Sequence, residues 1–300
     1  MTNAIKKFLQ IPATAAAIKT AIDDTIQEYR ERNSILNTYC PLVDLSQLTP
    51  DEQLESHVKS QKAGIAHHWD RQIQNMAAIK LESLMWRSLN LDPDQDSTLT
   101  RIVVGYIMSL VRSHISLLDF LAWQELQKNS LGLCDLDWSS TRNTDALSDL
   151  ARYHTEYQKT TGYPADAIAI SRFSLPKLSL LVAGIECGDP DLSTSSAPSP
   201  LSIVLASKNL PPFVFVDDFA DITASDGTGM ATRLLDKDTI VFLSRHSGFK
   251  RVLGGTLEAN GAGGVFIRTY TDSDGTEVTD TISRPSVLSS RPSFAFKVKT

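Results

Sequence analysis

Between Thr98 and Asn129 the side chains of Val103, Tyr106, Ile107, Leu110, His114, Leu117, Leu118, Leu121 and Ala122 fall on one broad face of a helix. At 1.5 Å per residue such a helix is roughly 45–50 Å long. Globular helices average roughly 11–12 residues, so this one spans a whole subunit and other elements must be laid along it. Gly132 stands just past its end, where a left-handed cap is easiest for glycine. A simple bilayer span fits the run poorly, because Ile102 to Trp123 is interrupted by Arg112, His114 and Asp119.

The rest of the first half also reads as helical. Ile5, Leu9, Ala16, Ile18, Ile22, Ile26 and Tyr29 recur at three-to-four-residue steps, with Pro12 as an early break. Pro41 and Pro50 punctuate the next stretch, Asp51 to Gln74 is polar and Gln-rich, and Met76 to Leu91 fits either a helix or an extended arm. Asp92-Pro93-Asp94 marks a boundary. A second helix is expected from Thr144 to about Thr161, capped by Asn143 or Thr144, with Asp145 at its positive end and Gly162 closing it. Its buried stripe is Leu147, Leu150, Ala151, His154 and Tyr157.

Beyond Tyr163-Pro164 the pattern shifts towards strands. Ala167 to Ile170 is a short apolar run, and Ser174 opens a short helix through Leu178 and Leu181. Asp189 to Pro200 is a Ser/Pro-rich loop. Strand-like runs follow at Leu201–Leu205, Phe213–Val216, Thr239–Leu243 and Val265–Tyr270, the last pairing with Glu277–Ile282 around the Asp274-Gly275 turn. No internal repeat is visible. The fold class is α+β, with helices early and strands late.

Composition excludes several functional classes. The 300 residues are 42% hydrophobic and 21% charged, the proportions of a folded globular chain. The three cysteines, Cys40, Cys134 and Cys187, are widely spaced, which rules out a disulfide framework and a thiolate zinc knuckle and suits a reducing compartment. With 35 acidic against 29 basic residues the net charge is −6, unlike that of a protein that coats nucleic acid. Met1 to Ile11 is polar and carries no apolar signal region.

No constellation points to catalysis, and the expected catalytic, cofactor and metal residues are none. Gly254, Gly255, Gly261, Gly263 and Gly264 are followed by Val265 and Phe266 rather than Lys-Ser/Thr, and by a strand rather than a helix, so they read as a flexible surface loop. His67 and His68, with His57 and Asp70 near in sequence, are the only histidine concentration. Adjacent side chains on a helix point about 100° apart, so the two would not chelate one ion together. No Gly-x-Ser-x-Gly elbow exists, and Cys134 and Cys187 read as small apolar fillers. His114 reads as a satisfied core or interface histidine, and Asp217, Asp218, Asp221 and Asp226 as a solvated acidic turn.

The order of the pieces resembles the lambda-type major capsid protein family of tailed bacteriophages. The residues that carry the resemblance are Ile107 to Gly132, similar to the family's long helix with its terminal Leu-x-x-x-x-Leu-Gly, and Asp135-Leu136-Asp137-Trp138, similar to its short acidic-aromatic strand. Asp145 to Leu178 follows the family's helix, Gly-x-x-Pro, strand, Ser and short helix, with Gly162-Tyr163-Pro164 one residue shorter. Phe213 to Leu243 and the closing Pro285 to Val298 match later blocks, so the likeness covers Ile107 to Thr300.

What the resemblance implies is the capsid fold shared by tailed phages and herpesviruses. In that division residues 1–50 are an N-terminal arm, 51–97 an extended loop, 98–165 a peripheral domain with a spine helix, 166–255 mostly an axial domain, and 256–300 a β-rich return to the peripheral domain. The implied function is a non-enzymatic major capsid protein that self-assembles into pentamers and hexamers of an icosahedral head. The head would enclose double-stranded DNA without sequence-specific binding and without a membrane. Implied partners are itself, a separate scaffold, a portal and a cement protein; no cofactor is implied, and the place of action is the virion, assembled in the host cytoplasm. No position fits the lysine–asparagine cross-link of some such capsids, so none is expected. Thr2 to Arg32 is expected to lie against a neighbouring subunit, because its apolar stripe has no evident partner in its own chain. A nanocompartment shell of the same fold, and a metal- or nucleotide-dependent enzyme using the acidic run and glycine loop, are the alternatives.

Overall fold

The computed structural model describes residues 11–62, 65–68, 94–138, 146–172, 205–223, 229–254, 263–271, 273 and 277–299. The Met76–Leu91 segment, the short helix at Ser174, the Asp189–Pro200 loop and the Asp274-Gly275 turn lie outside them. In chain order the elements are α1 (Pro12–Glu31), α2 (Ile35–Tyr39), β1 (Leu42–Val43), α3 (Pro50–Lys62), β2 (Ile65–His68), α4 (Asp94–Leu126), β3 (Leu136–Asp137), α5 (Ala146–Thr161), β4 (Ala167–Ile170) and β5 (Phe213–Phe215). They continue with β6 (Phe219–Thr223), β7 (Gly229–Arg233), β8 (Thr239–Leu243), β9 (Lys250–Gly254), β10 (Val265–Thr271), β11 (Glu277–Leu288) and β12 (Ala295–Lys299). The architecture is α+β.

The long helix is present and longer than expected at its start: α4 has 33 residues, about 50 Å at helical rise. Val103, Ile107, Val111, Ile115, Leu118, Ala122 and Trp123 are each at most 1% exposed. By length and composition Val103–Leu126 could cross a membrane, yet this stripe is interior to the fold. The helix stops at Leu126 rather than at Asn129. Gly132 does have positive φ (64°), but it closes a turn back to the Asn129 carbonyl at 3.3 Å instead of capping α4.

Two five-stranded sheets and a hairpin surround α4. The first runs β1-β9-β11-β10, with β2 also paired to β11; the second runs β3-β12-β8-β4-β5; β6 and β7 pair with each other. The expected hairpin forms with Val265 opposite Ser283 and Tyr270 opposite Val278. β11, however, runs on through Pro285 to Leu288, pairing there with β9. Among the described residues only β9 pairs with that half of β11, so a residue without an N–H is tolerated in it. The expected Leu201–Leu205 strand is not borne out at Leu205, which opens a helical turn.

The second sheet divides the core by side-chain size. Ala167, Ala169, Val241, Leu243 and Ala295 join the core built on α4. Ile168, Ile170, Ile240, Phe242, Phe296 and Val298 join the core built on α5. This is the period of two expected of a strand buried on both faces. On the α5 side Tyr157, Phe242, Phe294, Phe296 and Tyr153 pack edge to face, tilted or, for Tyr157 on Phe242, stacked, at centroid distances of 4.7–5.9 Å. Gly162, at φ 85°, returns its N–H to the Gln158 carbonyl and closes α5 as expected. The sheets draw strands from distant parts of the chain: β9 sits in the first, and β12 joins β8 in the second.

The expected site of the N-terminal stripe needs correction. Ile18, Ile22 and Ile26 of α1 are buried within the same chain, in one cluster with Val111, Ile115 and Leu118 of α4. Pro12 opens α1 instead of breaking it, as its fixed φ and missing N–H allow at the first turn. The polar stretch after Pro50 is a helix, α3, opened by a capping box: Thr49 N donates to Glu52 Oε2 at 2.9 Å, and Glu52 N to Thr49 Oγ1 at 3.4 Å. Burial of α1 has a direct test. Ile18→Ala is expected to cost the unassembled chain about 2–5 kcal/mol in urea denaturation, and Leu54→Ala on the exposed face of α3 under about 0.5 kcal/mol. An unchanged midpoint for Ile18→Ala would show that α1 is not seated on α4.

Candidate functional site

Among the described residues, a densely connected polar centre lies where α1, α2, α4 and β9 meet. Arg251 of β9 is 2% exposed. Its Nε donates to the Cys40 carbonyl at 2.7 Å, and its two terminal nitrogens donate to Asp119 of α4 and to Asn37 Oδ1. The Asn37 amide nitrogen in turn donates to the carbonyls of Tyr29 and Arg32 at 2.5 and 2.6 Å, satisfying the C-terminal end of α1. Ser34 caps α2 by accepting from Asn37 N. One guanidinium thus ties the segment 29–41 to both the long helix and the first sheet.

Electrostatics at this centre suit structure rather than chemistry. Burial raises the Asp119 carboxyl above its ordinary pKa, outweighing the lowering by Arg251 and Arg32. Burial pushes the Cys40 thiol up to about 12 despite Arg251; a thiol held neutral at physiological pH is a poor nucleophile. Each nitrogen of the Arg251 guanidinium already donates one hydrogen bond within the fold, and the side chain lines a cleft of about 440 Å³ together with Tyr29, Arg32, Asp119 and Phe219 among others. Helix α4 makes a further polar tie at its end, where Gln127 donates to the Leu234 carbonyl at 2.7 Å and accepts from Asp236 N at 2.8 Å.

The sequence candidates fall apart spatially. His57 lies on the exposed side of α3, and His67 and His68 belong to a strand rather than a helix, in register with Thr281 and Asp280. His114 is fully buried, with one ring nitrogen 3.2 Å from the Thr281 carbonyl and the other 2.7 Å from Ser283 Oγ, the satisfied core histidine that was expected. Asp217 is not a solvated turn residue: it accepts from Ser171 Oγ at 2.8 Å and Arg172 N at 3.1 Å. Asp218 is exposed, Asp221 lies in β6, and Asp226 is outside the described residues. Cys134 is exposed rather than a filler, and Cys187 is outside the described residues. Gly254 ends β9, and Gly263 is a packing glycine, since a Cβ there would meet the Leu253 carbonyl at 2.4 Å. Gly255 and Gly261 lie outside the described residues. Among the described residues no three metal-ligating side chains converge.

What remains is surface. Leu54 and Val58, one turn apart on α3, are 65% and 51% exposed, and Phe219 on β6 is 53% exposed beneath the Arg233 guanidinium. A cleft of about 620 Å³ separates α1 from the first sheet, floored by Ile22, Ile26, Leu42 and Leu253 and rimmed by Asp23, Asp24, Arg30 and Asp44. Leu54, Val58 and Phe219 were not singled out in the sequence; the cue for the first two was their i, i+4 spacing after the Thr49–Glu52 box.

No protein-family model and no curated protein matches the chain. Solved structures do resemble it. A phage-related protein from Bordetella bronchiseptica RB50 is 11% identical, with a TM-score of 0.44 over 93% of this chain and 96% of that one. A protein assigned as a prophage capsid protein in E. coli CFT073 is 15% identical, with a TM-score of 0.39 over 79% and 76%. A virus-like particle from Pyrococcus furiosus is 10% identical, with a TM-score of 0.39 over 95% and 98%. Likenesses of this depth leave function to be argued from the chain's own geometry.

The Arg251 centre makes two predictions. Arg251→Met is expected to destabilise the chain by roughly 3 kcal/mol, the lower end for breaking a buried pair, because Asp119 keeps some contact with water; urea denaturation reads it. Asp119, with its raised pKa, holds its proton more tightly folded than unfolded, so its contribution favours the fold in acid and declines as pH rises through the folded value. Wild-type stability relative to Asp119→Asn is therefore expected to fall as pH rises out of the ordinary carboxylate range. A gap that stays constant, or moves the other way, would contradict the assignment.

Proposed function

We propose that this chain is a structural shell protein, the major capsid protein of a tailed-phage-type icosahedral head. The observation that carries the proposal is the 33-residue helix α4 packed along the 12-residue strand β11, with a second sheet beyond it. That arrangement fits the spine-helix peripheral domain and adjoining axial domain that the sequence resemblance implies. The outward apolar positions Leu54, Val58 and Phe219 are suited to burial against neighbouring copies. The polar centres found are closed structural ties, which favours a non-enzymatic role.

On this reading copies of the chain form pentamers and hexamers around double-stranded DNA, with a scaffold, a portal and a cement protein as partners. Assembly takes place in the host cytoplasm, and the finished protein belongs to the virion. The net charge of −6 suits a shell that encloses DNA without gripping it, since phosphate affinity grows with each cation supplied. Shell contacts are non-covalent, without a lysine–asparagine cross-link. Co-expression with the reading frames that flank its gene, followed by electron microscopy and denaturing gels, tests this. Closed icosahedral particles that dissociate to a single band are expected. A chain that remains monomeric at every protein concentration and ionic strength would overturn the shell reading, and a ladder of covalent multimers would overturn the non-covalent one.

A further inference from the structure

We propose that the junction of α4, β11 and β2 is an acid-sensitive latch, closed while His114 is neutral. A carbonyl oxygen only accepts, so the nitrogen 3.2 Å from Thr281 O, Nε2, carries the hydrogen and donates it. In the neutral ring Nδ1 is then bare, and it accepts the hydroxyl hydrogen of Ser283 at 2.7 Å. One neutral tautomer thereby binds the long helix to two positions on the same face of β11. A proton on Nδ1 would turn an acceptor into a donor, force the Ser283 hydroxyl round, and leave a cation at a position with 0% exposure.

The strand register concentrates titratable residues at the same place. β2 pairs with β11 so that His67 stands opposite Thr281, His68 opposite Asp280 and Ile65 opposite Ser283. Three of the chain's six histidines therefore belong to one junction. Thr279, Asp280, Thr281 and Ser283 are each at most 1% exposed, so the strand segment under the latch is dry. Charged pairs on the surrounding elements include Arg268 of β10 with Asp280, Glu28 of α1 with Arg112 of α4, and Arg251 of β9 with Asp119; α1 also carries Asp23 and Asp24, and β11 Glu277 and Arg284.

Linkage fixes the direction. A histidine in water protonates near pH ~6.5. If opening lets His114 take up one proton, the opening equilibrium rises about tenfold per pH unit below that value. The latch is closed above this range and loosens as pH falls. It is a property of the folded chain and holds independently of the shell reading.

Amide hydrogen exchange with mass spectrometry, on the full chain between pH 7.5 and 5 and corrected for intrinsic rates, tests it. Protection of peptides covering 65–68 and 277–284 is expected to fall about tenfold per pH unit below ~6.5 in wild type, and to stay flat in His114→Gln. Peptides from α5 are expected to stay protected throughout. Protection independent of pH in wild type, an equal fall in His114→Gln, or a parallel loss in α5 would each overturn the latch. Where His114→Gln does not fold, C2-hydrogen exchange of the histidines in wild type decides. A fall that coincides with protonation of His114 supports the proposal, and one that tracks His67 or His68 while His114 stays neutral overturns it.

Discussion

Removing one stripe of α4 from water holds the molecule together. A helix of this length does not depend on propensity alone, because the marginal stability of isolated helices is overcome in proteins by burial of an apolar face. From Val103 to Leu126 that face is covered in turn by α1, the first sheet and the β6–β7 hairpin. Each fully buried Val, Leu or Ile contributes roughly 1.5–3 kcal/mol before ordering costs. The stripe is therefore shared by three elements, each of which loses its own burial if it is disturbed.

The same constraint explains why α1 is part of the subunit core. A helix carrying Ile18, Ile22 and Ile26 needs a partner, and α4 offers Val111, Ile115 and Leu118. Sequence alone assigned that stripe to a neighbouring subunit, wrongly, because any apolar face, in the same chain or in another, would serve and the pattern does not say which. The polar network at the end of α1 makes the choice specific. Asn37 holds the last carbonyls of α1, and Arg251 holds Asn37.

Periodicity made α1, α4, α5, β4, β8 and the β10–β11 hairpin legible, because each buries a face that repeats at 3.6 or 2 residues. Local chemistry went unread where composition pointed elsewhere. α3 is polar and Gln-rich, yet Thr49-Pro50-Asp51-Glu52 carries both halves of a capping box with proline at the first helical position. The expected strand stopped at Ile282, whereas β11 continues through Pro285 to Leu288, where among the described residues only β9 is paired with it. The Arg251 centre had no sequence signature, because its partners lie 132 and 214 positions away. The second sheet was half legible: the alternating Ala and Ile of β4 showed a strand, while its separation of two cores appears only once β8 and β12 flank the same sheet.

The polar ties along α4 do a different job from its apolar stripe. Apolar contacts are non-directional, so a helix shifted by one turn, about 5.4 Å, would remake many of them. Three bonds would not be remade: His114 to β11, Asp119 to Arg251 of β9, and Gln127 to the 234–236 turn. They lie at intervals along the helix and reach three different parts of the chain, so a slip that satisfied one would break the others. A buried group left without its partner costs roughly 1–3 kcal/mol; that applies in full to His114 at 0% exposure, and less to the half-buried Gln127. In this fold hydrophobic burial supplies the energy of packing, and a few buried hydrogen bonds select which packing is adopted.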